Sequence, residues 1–226
     1  MKPWGRRGPW GGCGPEGDKR AYHHGNLKEA LVEAARRFIA ERGLGGFTLA
    51  DAAKWVGVSP AALYRHFAGR DALVTEVAFR GFDQLAERLG RALSGAGTPL
   101  ERFTRMGEAY LDFAEKEPGY YAAMFAPRPE EGGGAEPPPP PWGYGAGAAP
   151  NGPFSLLVAA LDRTFPDGFG SVDPRFVALE VWALAHGLAT LDAARALPRG
   201  PGLPDKHELL RAGVLALVHG AGAKKA

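Results

Sequence analysis

The stretch from Thr48 to Phe67, TLADAAKWVGVSPAALYRHF, constrains the fold more than any other part of this chain. It predicts two short helices joined by a tight turn. Thr48 is a good N-cap residue, and Asp51, three positions on, favours the positive end of a helix. Leu49, Ala52, Ala53 and Val56 then recur at helical spacing on one face. Gly57 can take the left-handed conformation that ends a helix. Ser59 caps a second helix, with Pro60 at its first position, where a missing N–H costs nothing. Leu63 and Phe67 point inward and leave Ala61, Ala62, Tyr64, Arg65 and His66 on or near the outer face. Two helices joined around a glycine are the helix-turn-helix pattern, whose second helix enters the DNA major groove.

The outer face has chemistry to match. The first turn of such a helix must come close to base edges, and Ser59, Ala61 and Ala62 are small. An alanine methyl also packs on a thymine methyl. Tyr64 and His66 carry polar tips that reach phosphate oxygens, contacts that position a protein without reading sequence. The plainer reading is a helical hairpin in an ordinary bundle. The joint spacing of Thr48, Ala53, Gly57, Ser59, Leu63, Tyr64 and Phe67 favours double-stranded DNA.

At these residues the chain resembles TetR-type transcriptional repressors. GVSPAALYRHFAGRDALV is similar to the signature of that family: a Gly-Val-Ser turn, a Leu-Tyr-x-His-Phe recognition helix and a basic residue opening the next helix. The match reaches back through LKEALVEAARRFIAERGLGGFTLADAA and covers about residues 22–80. Arg70 stands where the family usually has lysine, which keeps the charge but not the geometry.

Charge is distributed to suit this division. The net charge is only +2, yet Lys19 to Arg70 holds nine Lys and Arg against four Asp and Glu. Residues 71–226 hold fifteen against nineteen. A basic N-terminal third on a mildly acidic body fits a phosphate-binding module on a partner-binding one. The lone Cys13 permits no disulfide within the chain and suits a reducing cytoplasm. No apolar run reads as a membrane span, and the N-terminus lacks the apolar centre of a signal peptide.

Three regions are expected: an arm (1–21), a helix-turn-helix domain (22–69) and a helical sensing and dimerisation domain (70–221). The Gly/Pro/Arg-rich arm reads as disordered, with Lys19 and Arg20 able to reach DNA, while a passive leader without contacts is an equally good reading of residues 1–17. Tyr22, His23, His24 and Asn26 precede the first helix. Adjacent histidines suggest a metal, but no Cys, Asp or Glu lies beside them at ligand spacing. Phosphate contact by His24 and Asn26 at a helix start is the better reading, and the resemblance implies the same. Leu27–Arg42 is amphipathic, with Leu27, Ala30, Leu31, Ala34, Phe38 and Ile39 as its apolar stripe.

Arg70 opens a longer helix with an apolar face of Leu73, Val74, Val77, Ala78, Phe82, Leu85 and Leu89. It is placed to connect the DNA-binding unit to the rest of the chain. After the turn at Ser94–Pro99, residues 100–117 form an aromatic-rich helix with Phe103, Met106, Tyr110, Leu111, Phe113 and Ala114 on one face. Pro118 and Gly119 break it, and a short helix follows at Tyr120–Phe125. Residues 127–153 contain nine prolines and seven glycines and read as a flexible loop, with Pro137–Pro141 extended. Composition alone leaves an inert insertion and a polyproline ligand both open, with the insertion favoured. Phe154–Phe165 is a helix.

The segment after Asp173-Pro174 is apolar nearly all round, through Val177, Leu179, Val181, Trp182, Leu184, Ala185, Leu188 and Leu191. Such a helix must be covered on both sides, and a second subunit is the economical cover. A last helix, Lys206 to about His219, adds Leu209, Leu210, Val214, Leu215 and Leu217. Here Trp182-x3-His186-Gly187, following YLDFAEKEPGYYAAMF, resembles the C-terminal domain of a TetR subgroup named for its Trp-His-Gly motif.

The expected fold is therefore all-α: a three-helix DNA-binding domain and a helical ligand-sensing and dimerisation domain. The expected function is ligand-responsive repression without catalysis, cofactor or metal. The protein would bind a palindromic operator as a homodimer through its last two helices. A small apolar or aromatic effector would be held by Phe82, Phe103, Tyr110, Met124, Phe125, Trp182 and His186. Residue type alone leaves open a solid core built from these side chains, with His186 as a core histidine bonded to a neighbouring helix. For DNA the candidates are His24, Asn26, Thr48, Ser59, Ala61, Ala62, Tyr64, Arg65, His66 and Arg70. The rival reading is a small helical ligand-binding protein or enzyme using the pocket near Tyr110, Trp182 and His186. Against an enzyme stand the lack of a nucleophile-base-acid set and of a phosphate loop. An architectural DNA-binding protein would not need so aromatic a second domain.

Overall fold

In a computed structural model, residues 27–127 and 152–223 are described. The arm, the Tyr22–Asn26 segment with His24 and Asn26, and residues 128–151 of the Pro/Gly loop lie outside them. Among the described residues there are nine helices. They are α1 (Leu27–Arg42), α2 (Leu49–Val56), α3 (Pro60–Leu63), α4 (Arg70–Ser94), α5 (Pro99–Lys116), α6 (Pro118–Met124), α7 (Pro153–Thr164), α8 (Pro174–Ala193) and α9 (Lys206–Gly220).

Local chemistry sets most of the boundaries. At α2 the Thr48 hydroxyl accepts the Asp51 N–H, and the Asp51 carboxylate accepts the Thr48 N–H. Each satisfies a donor that the helix end would orphan. Gly57, at φ 81°, ends the helix in the left-handed region and lets both its own N–H and that of Val58 return to the Ala53 carbonyl. Thr98 with Glu101 and Asp205 with Glu208 repeat the capping box at α5 and α9.

α4 is the spine. It packs against α1, α5, α6 and α7, while α8 lies between α5, α7 and α9. Its seven expected apolar residues are all buried, and Gly81 joins them beneath Met124 of α6. The expected face of α5 is likewise buried in full. One continuous core runs from Leu31 in α1 to Val218 in α9.

Several sequence expectations need correction. On α1, Leu27 is only partly buried, while Val32 and Ala35 are fully buried. The cause is tertiary: α1 packs on α2, α4 and α6, so its buried arc is wider than a single stripe. Pro118 does not separate two helices by a loop but starts α6 at once, because proline is accommodated in a first helical turn. The second helix of the helix-turn-helix is one turn long. Beyond Leu63 the chain stays in turns, with the His66 and Phe67 N–H groups both donating to the Leu63 carbonyl.

α8 also proves long and apolar enough to cross a membrane by length and composition. Its packing among α5, α7 and α9 accounts for that apolarity on one side, where Val177, Ala178, Val181, Ala185, Leu188 and Ala189 are buried. Phe176 and Leu191 remain exposed on this protomer.

Candidate nucleic-acid interface and apolar cavity

The α2–α3 unit presents Ser59, Ala61, Tyr64, Arg65 and His66 to solvent, with Ala62 half-buried and Leu63 and Phe67 beneath them. Tyr64 is 60% exposed, a high value for an aromatic residue that caps a helix. Thr48 and Ser59 are both at the surface, but their hydroxyls already serve caps. The Ser59 hydroxyl accepts the Ala62 N–H at 3.3 Å, and the Thr48 hydroxyl donates to Asp51 at 2.7 Å. That second bond is the main reason the Asp51 carboxyl lies below its ordinary range.

Arg70 is more constrained than a free surface cation. Its Nε donates to the Phe47 carbonyl at 3.3 Å, and its guanidinium lies 5.0 Å over the Phe47 ring. Phe47 in turn stacks on Phe38 at 6.0 Å. Arg70 thus clamps the first turn of α4 onto the α1–α2 connection. Phe47 lies between α1 and α2, where no periodicity marks it in the sequence.

The second feature is a partly open cavity of about 140 Å³ between α5, α7, α8 and α9, reached by Leu89 near the far end of α4. Its wall is mainly apolar and aromatic: Phe103, Met106, Tyr110, Leu157, Phe165, Val181 and Trp182. Of the seven residues expected to hold a ligand, Phe103, Tyr110 and Trp182 line this space. Phe82, Met124, Phe125 and His186 are not among its lining residues; Phe125 packs on Phe82, on Tyr121 and on the His186 ring. Leu210, Val214 and Leu215 of α9 line the cavity instead.

Tyr110 joins the two groups. Its ring meets Trp182 edge-on at 5.7 Å, and its hydroxyl lies 3.4 Å from His186 Nδ1. Tyr121 of α6 sits 2.8 Å from the same nitrogen, and Phe125 packs 4.2 Å from the imidazole. Burial holds the His186 imidazole below its ordinary value and pushes both tyrosine hydroxyls up, Tyr110 most strongly. With the imidazole neutral and its proton on Nε2, Nδ1 accepts from the Tyr121 hydroxyl. Gly187 faces away, since an added Cβ there meets nothing within 4 Å. Among the described residues no group of three His, Cys, Asp or Glu is placed to hold a metal ion.

The arrangement defines a class: a helix-turn-helix unit carried on a larger helical body that encloses an apolar cavity. Residues 31–77 match the profile of bacterial regulatory proteins of the tetR family. Residues 103–217, half of the chain, match the tetracyclin repressor-like C-terminal domain. The chain belongs to the TetR family of bacterial regulatory proteins.

Over 103 residues it is 35% identical to the uncharacterised HTH-type transcriptional regulator YobS of Bacillus subtilis, covering 44% of this chain and 51% of that one. Over 99 residues it is 36% identical to the HTH-type transcriptional repressor KstR2 of Mycobacterium tuberculosis, covering 43% and 49%. The chain thus spans about half the length of these two relatives. A solved structure of a Rhodococcus protein of unknown function, 28% identical, covers 89% of this chain and 98% of its own with a TM-score of 0.66. PfmR, a TetR family transcriptional regulator of Thermus thermophilus, shares the fold at 21% identity and a TM-score of 0.55, covering 84% and 97%.

Proposed function

We propose that this protein is a ligand-responsive transcriptional repressor acting in the cytoplasm. It binds a palindromic operator as a homodimer and is released by a small apolar or aromatic effector. One observation carries the reading. α4 begins at Arg70, clamped to the helix-turn-helix unit, and ends near Leu89, which lines the cavity. A single rigid element therefore touches both the proposed DNA surface and the proposed effector site.

On the DNA side, Tyr64, Arg65 and His66 meet phosphates while Ala61 and Ala62 approach base edges. Thr48, Ser59 and Arg70 shape that surface as well as border it. A lone unit buries too little surface for specific binding, whereas two related by a two-fold axis read two half-sites. The outward faces of α8 and α9 suit that pairing. Ala183, Thr190, Leu191 and Phe176 on α8 and Ala212 and Ala216 on α9 are exposed. Small residues there let two helix pairs approach closely into a four-helix interface.

On the effector side, a ligand shifts an equilibrium only by its differential affinity for the two states. A hundredfold loss of operator affinity needs about 2.7 kcal/mol of coupling, within the allosteric range. The path has a second branch through α6, which carries Tyr121 beside His186 and packs on α1. Glu117 at the α6 entry pairs with both Arg36 of α1 and Arg88 of α4.

Screening apolar and aromatic compounds by thermal shift, then testing each hit for operator release, is the direct experiment. Hits that raise the melting temperature and release DNA support the reading. Hits that stabilise the protein and leave DNA bound would refute the switch.

A further inference from the structure

The charged and polar side chains lining the cavity include His207 and Arg211 of α9 and Thr104 and Glu108 of α5. The Thr104 hydroxyl already donates to the Leu100 carbonyl. His207 Nδ1 is buried and has no hydrogen-bond partner among the described residues. Buried polar atoms are nearly always bonded, to protein, solvent or ligand. The Arg211 guanidinium approaches Glu108 at only 3.8 Å, outside hydrogen-bond range, with both side chains about half exposed. The neighbouring charges are already engaged: Lys206 pairs with Glu115 and Asp192, and Asp112 with Lys116. The first-turn amides of α9 are taken too, since the Asp205 carboxylate accepts the N–H groups of His207 and Glu208 at 2.8 Å. The carboxylates of Asp112 and Asp205 also act on His207, and that of Asp205 on Arg211, through space. The uncommitted donor capacity beside the cavity therefore rests in one imidazole nitrogen and one guanidinium.

Size limits the rest of the ligand. A dry cavity of about 150 Å³ accommodates benzene. We infer that the cavity takes a monocarboxylic acid with a compact apolar body, about six to eight carbons or one aromatic ring, its carboxylate held by His207 and Arg211. This deepens the effector reading above and rests on it. A carboxylate offers the planar acceptor pair that a guanidinium matches with two parallel N–H bonds. It replaces Glu108, which is free to turn to solvent. An amine would meet Arg211 with like charge, and an alcohol would leave the guanidinium without an ionic partner. The edges of Phe103, Tyr110, Phe165 and Trp182 then surround the apolar body.

The test is calorimetric binding of 3-phenylpropionate and octanoate to the full chain, beside 3-phenylpropanamide and 3-phenylpropan-1-ol. The acids should bind roughly tenfold or more tightly than the amide and alcohol, as a charge-assisted bond requires. Arg211→Gln and His207→Leu should each remove that preference while leaving alcohol binding nearly unchanged. His207→Asn, which keeps an N–H near the place of Nδ1, should retain much of it. Thermal unfolding of each variant separates loss of the site from loss of the fold. Equal binding of acid, amide and alcohol would overturn the inference, as would wild-type acid affinity in Arg211→Gln. Binding by none of the four probes would also overturn it, without touching the DNA-binding reading. Operator release is scored separately: an acid that binds with these preferences and leaves DNA bound supports the ligand class and refutes the switch.

Discussion

The carbonyl oxygen of Arg36 on α1 lies so close to Gly119 on α6 that a Cβ at Gly119 would stand 2.2 Å from it. Only a glycine lets the two backbones touch there. The contact ties the helix-turn-helix domain to the helical body, and the Arg36 guanidinium reinforces it by lying 5.4 Å over the Tyr120 ring.

Gly119→Ala should therefore destabilise the protein by about 2–3 kcal/mol, the upper part of the range for overpacking, because a backbone carbonyl cannot swing aside. Gly81→Ala is the control. Its new Cβ meets the Met124 side chain at 2.8 Å, and a methionine can rearrange. Urea denaturation of both variants should show the smaller loss, roughly 1 kcal/mol, at Gly81. Equal losses would mean that the α1–α6 backbone contact has no special weight.

Tyr64→Ala should weaken binding to operator and random duplex alike, by roughly fivefold for one lost phosphate hydrogen bond. Ala61→Leu, at an exposed position, should instead damage operator binding selectively and leave the fold intact. Fluorescence anisotropy at fixed salt distinguishes them. Unchanged affinities in Tyr64→Ala would show that this face does not meet DNA.

A homodimer should sediment at twice the 23.9 kDa chain mass at micromolar concentration. Ala216→Glu, on the exposed side of α9, should shift it to monomer without lowering the monomer's helicity, since a buried unpaired charge is costly only in the interface. A wild-type monomer would refute the pairing.

The pH dependence follows from the buried cluster. His186 is held below the ordinary 6.5, so below that pH the unfolded chain binds the proton more readily than the folded one. The contribution is present above about 6.5 and is lost as pH falls towards the folded value. Tyr110 and Tyr121 are raised above 10.0, so their contribution is present below 10 and is lost as pH rises beyond it. Melting temperatures should fall on both sides of that window. His186→Asn should flatten the slope just below pH 6.5, before the carboxylates Glu33 and Asp51, whose ordinary values are 4.5 and 3.8, begin to contribute. An unchanged slope in that variant would place the acid sensitivity elsewhere.

The sequence by itself determined the elements whose signals are local. Thr48, Gly57, Ser59 and Pro60 act on the few residues around them, so the caps and turn of the helix-turn-helix unit could be read directly. The buried faces of α4 and α5 were legible because each helix turns one apolar arc inward, and periodicity records that arc. Tertiary structure decided what depends on partners far along the chain. α1 buries Val32 and Ala35 because α6 arrives on its second side. Tyr110 meets Trp182 and His186 together because α6 puts Tyr121 on His186, while α9 brings His207 and Arg211 to the cavity. Phe103 and Phe82 are both apolar residues on inward helical faces, and nothing local separates a wall residue from a packed one. That difference is a matter of which volume neighbouring helices fill, and volume is a property of the assembled fold.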